Sequence, residues 1–227
     1  MKKLLVVIPA YNEEENIEKV VSYIISEYAQ YDYVVVNDGS EDGTAEICRR
    51  NAYEMIDLPV NLGLSGAIRA GLKYAYLKGY QYAVQFDADG QHRAEFIPDI
   101  LETMEKGYDI VIGSRFVNRK KGRSLRMIGS RMITAAVWLS SGVKIADPTS
   151  GMRMFSRKMM RGFVHNVNYA PEPDTISHLI KNGAKVAEVP VTMNERQVGA
   201  SYLNSIASIK YMVKVLTSIL LLQNYRK

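Results

Sequence analysis

The chain of 227 residues contains a single cysteine, Cys48. This excludes a disulfide framework and a cysteine metal site, and it makes a reducing cytosol the natural compartment. Long apolar runs are also missing. The longest uncharged ones, 132–143 and 215–225, fall short of the roughly 18 to 20 residues that a membrane-spanning helix needs. Met1-Lys2-Lys3 and the apolar residues 4–8 imitate the start of a signal peptide, but Pro9 ends the run and Glu13-Glu14-Glu15 follows, so the segment reads as a first strand. Glycine-rich phosphate loops are absent too. A dinucleotide fold would carry Gly-x-Gly-x-x-Gly in its first strand-to-helix turn, where this chain has Pro9-Ala10-Tyr11-Asn12-Glu13-Glu14, with no glycine and with carboxylates that repel phosphate. Gly-x-x-x-x-Gly-Lys-Ser/Thr does not occur, which excludes a P-loop.

A hydrophobic share of 47% and a charged share of 23% are ordinary for a globular protein. The length fits one domain with a sizeable core. The net charge of +5 suits phosphorylated ligands or an anionic membrane surface. Strand and helix patterns alternate: strands at 4–8, 33–36, 53–58, 82–86 and 109–113, helices at 13–29, 44–50, 61–77 and 95–106. This predicts an α/β fold with a mostly parallel sheet and helices on both faces. The second half is less regular. A basic loop at 114–126 feeds a helix with Leu125, Ile128, Met132, Ala135 and Leu139 at three-four spacing. A strand at 152–155, a helix from Pro173 to Lys181 and a strand at 185–193 follow, and a terminal amphipathic helix, 202–223, carries Ile206, Ile209, Val213, Leu216 and Leu220 on one stripe.

The chain is organised around Phe86-Asp87-Ala88-Asp89-Gly90-Gln91-His92. The strand before it delivers Asp87 and Asp89 to its carboxyl end, the edge where open parallel sheets bind ligands. Paired carboxylates suit a hard divalent cation that keeps several waters and also holds a substrate diphosphate. The plain alternative is an acidic turn with Asp89-Gly90 at its corner. Asp38, at the tip of the second strand, is a candidate acceptor for hydrogen bonds from a base or ribose.

These residues, together with Val36-Asn37-Asp38-Gly39-Ser40, Asn61-Leu62-Gly63-Leu64-Ser65-Gly66, Gly113-Ser114-Arg115-Phe116, Asp147-Pro148-Thr149-Ser150-Gly151-Met152-Arg153 and Glu188-Val189-Pro190-Val191, occur in the order seen in family 2 glycosyltransferases of the GT-A fold. Over residues 4–201 the chain resembles the dolichol-phosphate-mannose-synthase-like branch. The resemblance implies a metal-dependent, inverting transferase using a UDP-, GDP- or dTDP-sugar, with a polyprenyl phosphate or a lipid-linked glycan as acceptor, working in cell-surface polysaccharide synthesis at the inner face of the cell membrane. It divides the domain into a nucleotide half (1–92), an acceptor half (93–201) and a C-terminal helix (202–227). Pro9, Ala10, Tyr11, Glu13, Asp38 and Gly66 would line the donor pocket, and Asp87 and Asp89 would meet the diphosphate through Mg²⁺ or Mn²⁺. His92 is a candidate third contact, in competition with a plain polar role.

The acceptor decides which other groups are needed. A sugar hydroxyl requires a general base, for which Glu172 leads and Asp174 follows; Asp174 has the alternative role of a first-turn helix residue. A polyprenyl phosphate is already ionised and requires cations instead, for which Arg115, Arg131, Arg196 and Ser201 are candidates, the last two in a segment resembling the branch's Arg-x-x-Gly-x-Ser. The helices at 125–141 and 202–223 either rest in a headgroup layer or pack in a core or dimer. Trp138 reads as buried or interfacial, and His165 and His178 as surface residues. A homo-oligomer stays open, and a nucleic-acid partner is disfavoured because the basic loop lacks interleaved aromatics. Rival functions are a nucleotidyltransferase of similar fold, which would need a basic first loop, and a catalytically silent sugar-nucleotide-binding subunit.

Overall fold

The computed structural model describes residues 2–122, 124–166, 171–194 and 205–221. Its strands are β1 (Lys2–Ala10), β2 (Asp32–Asn37), β3 (Met55–Asp57), β4 (Tyr80–Gln85), β5 (Ile110–Ser114), β6 (Arg153–Ser156) and β7 (Val186–Pro190). Among the described residues they form one sheet in the order β3-β2-β1-β4-β6-β5-β7. All pairs are parallel except those of β6, which runs antiparallel between β4 and β5. The carboxyl ends of β1, β2, β4 and β5 therefore share one edge of the sheet, and β6 begins there.

β1 explains why the sheet is buried on both faces. Leu5 and Val7 join one core cluster, while Leu4, Val6 and Ile8 join the other, the period-two alternation of a strand covered on both sides. Helices α1 (Ile17–Glu27), α2 (Thr44–Arg50) and α4 (Ile97–Glu105) contribute to the second cluster. Helices α3 (Gly63–Leu77), α5 (Leu125–Ser141), α6 (Arg157–His165), α7 (Pro173–Lys181) and α8 (Ser205–Leu220) pack on the first. A fully buried side chain such as Leu5 contributes about 1.5–3 kcal/mol relative to exposure.

The first half follows the predicted alternation, with element ends shifted by a few residues. The second half departs from it. α6 is an additional helix, capped by Ser156, whose Oγ accepts the Met159 N–H at 3.4 Å. On α5, the three-four set Ile128, Met132, Ala135 and Leu139 is exposed, which removes the core alternative for that stripe; the residues buried are Ile133, Ala136 and Val137. The cause is a contact between helices. A Cβ on Gly129 would lie 1.6 Å from the Met212 sulfur of α8, so the glycine side of α5 is the side against which α8 packs. On α8, Val213 and Leu220 of the stripe are exposed and Leu216 is partly buried against the core, while Val215 and Ile219 are buried. Trp138 is 53% exposed, so it is no core residue. His178 is buried, contrary to its reading as a surface residue, because α7 contacts both α5 and α8; its Nε2 lies 2.9 Å from Asn182 Nδ2. His165 is exposed, as expected.

Gly71 sets how closely α3 approaches β1, since an added Cβ would sit 2.2 Å from Val7 Cγ1 in the fully buried core. Gly71→Ala is expected to destabilise the fold by about 1–3 kcal/mol, overriding the gain in helix propensity. Chemical denaturation checks this; an unchanged or raised midpoint would contradict it.

Candidate active site

The site lies along the shared strand edge. At the tip of β1, Pro9 and Ala10 pair with Val36 and Asn37 of β2, and Tyr11 and Asn12 follow, Asn12 with φ +54°. Glu13 is buried; its N–H donates to Thr44 Oγ1 (2.8 Å) and its Oε2 accepts from Asn16 Nδ2 (2.8 Å). Its carboxylate thus fastens the start of α1. Asp38, 2% exposed, accepts the Leu62 N–H at 2.8 Å through Oδ1. Burial raises its pKa, and the Leu62 and Gly63 amides oppose the rise. Gly39 makes this approach possible: it has φ +66°, and a Cβ there would lie 2.7 Å from the Val60 carbonyl carbon. Gly66 sits on the first turns of α3, where a Cβ would lie 2.4 Å from Leu62 Cβ.

At the tip of β4, Ala88 is buried between Asp87 and Asp89, which are partly exposed. Asp89 Oδ1 accepts the Gln91 N–H at 3.0 Å around Gly90, whose φ is +74°. The Asp-Gly corner is therefore present, and it orients one oxygen of Asp89. Asp87 Oδ1 accepts from Gln85 Nε2 at 2.8 Å, and its Oδ2 lies 3.5 Å from His92 Nε2. His92 Nδ1 accepts the Asp87 N–H at 2.8 Å, so in the neutral ring Nε2 carries the hydrogen and faces the carboxylate. With both nitrogens turned to Asp87 and the residue buried, His92 supports that carboxylate, the polar one of its two candidate roles. Gly151 closes the back of the site; a Cβ there would meet Asp87 Oδ2 at 2.6 Å and the His92 ring at 3.2 Å.

The chemistry of the pair fits a magnesium-like ion. Its donors are hard carboxylate oxygens, each aspartate is fixed by one internal hydrogen bond, and among the described residues no larger cluster of His, Cys, Asp and Glu gathers around them. A cation that takes one or two carboxylates and fills its shell with water and phosphate oxygens matches this set.

Arg115, at the end of β5, forms a two-pronged ion pair with Asp147: Nε to Oδ2 at 2.7 Å and Nη2 to Oδ1 at 2.9 Å. Asp147 is fully buried. Burial raises its pKa, but the Arg115 bonds and charge outweigh this and hold it below the usual carboxylate range. Glu188 completes the support, accepting the backbone N–H groups of Ala146 (2.7 Å) and Asp147 (2.8 Å). Arg115 Nη1 carries none of the described hydrogen bonds. Arg131 is exposed, and its Nη2 donates to the carbonyls of Lys121 and Gly122 at 2.6 and 2.9 Å. Lys121 is drawn inward to Ser130 and Thr134, and burial lowers its pKa. Part of the basic loop is therefore anchored to α5 and is no simple hydrated run.

Glu172 caps the start of α7 and accepts the Ser65 hydroxyl at 2.8 Å, joining α7 to the start of α3. Asp174 is buried and accepts the Ser218 hydroxyl at 2.6 Å, tying α7 to α8. That placement gives it a structural bond and removes it from the exposed surface a general base would need. Arg196 and Ser201 lie outside the described residues. Asp147, Gly151, Arg153 and Glu188 fall within the family motifs but carry no role there, because the groups they act on are distant in sequence; Gln85, whose bond to Asp87 is local, reads only as a strand residue.

Residues 5–163 match the family model described as glycosyl transferase family 2. A polyprenol monophosphomannose synthase of Mycolicibacterium smegmatis is 31% identical over 227 residues, covering 94% of this chain and 86% of that protein. A dolichol-phosphate mannosyltransferase of Pyrococcus furiosus is 34% identical over 223 residues, covering 92% of this chain and 62% of that protein. Among solved structures, glucosyl-3-phosphoglycerate synthase from Mycobacterium tuberculosis, in complex with Mn²⁺, UDP-glucose and phosphoglyceric acid, has a TM-score of 0.73 at 20% identity, over 96% of this chain and 80% of that one. That likeness is one of fold, and the fold is GT-A. With the family model spanning most of the sheet and both ends of the site, the chain belongs to glycosyl transferase family 2 and is a glycosyltransferase.

Proposed function

We propose that the chain moves a sugar from a nucleotide-diphosphate sugar to a polyprenyl phosphate, in one displacement that inverts the anomeric carbon, in cell-surface polysaccharide synthesis at the inner face of the membrane. The observation that carries this is the pair of internally held carboxylates, Asp87 and Asp89, on the same sheet edge as Asp38 and Arg115. A UDP-, GDP- or dTDP-sugar lies along β1 and β2, bounded by Pro9, Ala10, Tyr11, Glu13, Asp38 and Gly66. Asp87 and Asp89 would hold Mg²⁺ or Mn²⁺. When bound, such an ion acts as a Lewis acid, stabilising the charge that builds on the departing diphosphate.

On the acceptor side Arg115 and Arg131, with Arg196 and Ser201 beyond the described residues, bind the acceptor phosphate. Arg115 is held by Asp147, leaving Nη1 for the ligand. A phosphate oxygen attacks the anomeric carbon as the bond to the nucleoside diphosphate breaks. This acceptor has no proton to lose, which agrees with Asp174 being bonded to Ser218 and Glu172 to Ser65. The two relatives are named for transfer to polyprenol and dolichol phosphate, which supports the same acceptor class here.

The exposed apolar stripes support a membrane-surface position. No helix among the described residues is long and apolar enough to cross a membrane. Ile128, Met132 and Leu139 of α5, and Val213 and Leu220 of α8, are exposed on packed helices, and Trp138 is beside them in sequence. Such a surface rests in a headgroup layer, with nearby lysine and arginine meeting anionic lipid.

Asp89→Asn should lower turnover of a nucleotide sugar in the presence of polyprenyl phosphate and Mn²⁺ by about 100-fold or more, with the fold intact by circular dichroism. A panel of nucleotide sugars assayed for nucleoside diphosphate release measures this; unchanged turnover at saturating metal would refute the metal role. Replacing Met132 and Leu139 together with glutamate should abolish co-sedimentation with anionic phospholipid vesicles while preserving transfer to a short, water-soluble polyprenyl phosphate. Undiminished co-sedimentation would contradict the membrane face.

A further inference from the structure

Gln85 ends β4 and Arg153 begins β6. The antiparallel register that pairs Ala83 with Phe155 and Val84 with Met154 brings these two residues opposite each other at the edge where Asp87 emerges. Opposed residues of an antiparallel pair project to the same face and are near neighbours. Both are buried, Gln85 at 2% and Arg153 at 4% exposure. Gln85 Nε2 donates to Asp87 Oδ1, and since a carboxylate only accepts, the amide oxygen is the atom turned elsewhere. Among the described residues that oxygen has no partner, and neither has the Nε–H of Arg153. An unmatched acceptor and an unmatched donor thus occupy facing positions beneath the carboxylate pair.

The rest of the Arg153 guanidinium binds backbone. Nη1 donates to the Pro171 carbonyl and Nη2 to the Pro148 carbonyl at 2.8 Å. The first of these residues precedes Glu172, and the second follows Asp147. Among the described residues no ion pair includes Arg153, although Tyr211, Asp147, Asp87 and Glu172 are near enough to favour its charge. Burial works against the charge, but an arginine does not give up its proton. A buried cation without a contacting carboxylate costs free energy in the free protein, and an anionic ligand brought alongside offsets that cost.

We propose that Gln85 and Arg153 are positioning residues of the transfer reaction: Gln85 fixes the rotamer of Asp87, and Arg153 provides a fixed positive charge that attracts the donor diphosphate while holding the Pro148 and Pro171 loops around it. The pair's role rests on the donor diphosphate binding beside Asp87 and Asp89. It differs from a purely structural role, in which substitution would lower stability and leave ligand affinity alone.

Calorimetric titration of the whole chain with UDP and with GDP, each with and without Mn²⁺, separates the two contributions. Arg153→Met should weaken metal-free nucleoside diphosphate binding by about ten-fold, and Arg153→Lys, which keeps the charge, should recover most of it. Gln85→Leu should leave metal-free binding unchanged but reduce the gain from Mn²⁺ by about ten-fold. Thermal unfolding checks that each variant is folded. Wild-type affinity in a folded Arg153→Met protein, or a wild-type Mn²⁺ gain in Gln85→Leu, would overturn the assignment. Should Arg153→Met fail to fold, Arg153→Gln takes its place, with the same loss of metal-free binding, about ten-fold, expected and wild-type affinity again overturning the assignment. A wild-type protein whose nucleoside diphosphate binding gained nothing from Mn²⁺ would instead overturn the donor-site reading beneath it.

Discussion

Like charges held one residue apart at the end of a buried strand are the constraint on which this structure turns. Asp87 and Asp89 cannot separate, because β4 lies between β1 and β6 and the Asp89-Gly90 corner is fixed by the Gln91 amide. Under the proposed function a divalent cation would sit between them and the ligand's diphosphate. The surroundings keep the carboxylates aimed in the meantime: Gln85 holds Asp87, His92 backs it, and Gly151 leaves room for both. The antiparallel turn of β6 is part of the same arrangement. Because the chain enters β6 from the site edge, the segment 147–153 supplies Asp147, Gly151 and Arg153 within a few residues of one another.

The acceptor side depends on a second chain of support. Glu188 on β7 fixes the backbone at Ala146 and Asp147, and Asp147 orients Arg115 through Nε and Nη2. The buried Asp147 carboxylate serves here to aim a cation, whereas under the proposed function those at β4 would bind one. Beyond them, α5 and α8 present apolar side chains outward, which under the proposed function lets a lipid-borne phosphate approach without the lipid leaving its own phase.

Much of the fold was legible because its signals are local. Apolar residues 4–8 and the β-prone segment before Asp87 announce strands, and Asp87-Ala88-Asp89-Gly90 falls where a strand must end. The nucleotidyltransferase alternative, disfavoured in the sequence by a first loop without basic residues, gives way to the family model. What could not be read is tertiary. α5 carries apolar residues on two sides, Ile128-Met132-Leu139 and Ile133-Ala136-Val137, and spacing alone does not say which side meets the sheet. Gly129 was the available clue, since a small residue on a helix marks a close neighbour. His178 and Asp174 read as exposed or catalytic for the same reason, as the sandwiching of α7 between α5 and α8 is not written in residues 173–181. The facing of Gln85 and Arg153 required the sheet register.

The central claim is that a divalent cation on the β4 tip neutralises the leaving diphosphate. Crystals of the protein with Mn²⁺ and a sugar nucleotide, read by the anomalous signal of manganese, test it most directly. The account predicts one strong peak in contact with the Asp89 carboxylate and the ligand's diphosphate. A diphosphate bound away from Asp87 and Asp89, or a manganese peak elsewhere on the chain, would contradict it.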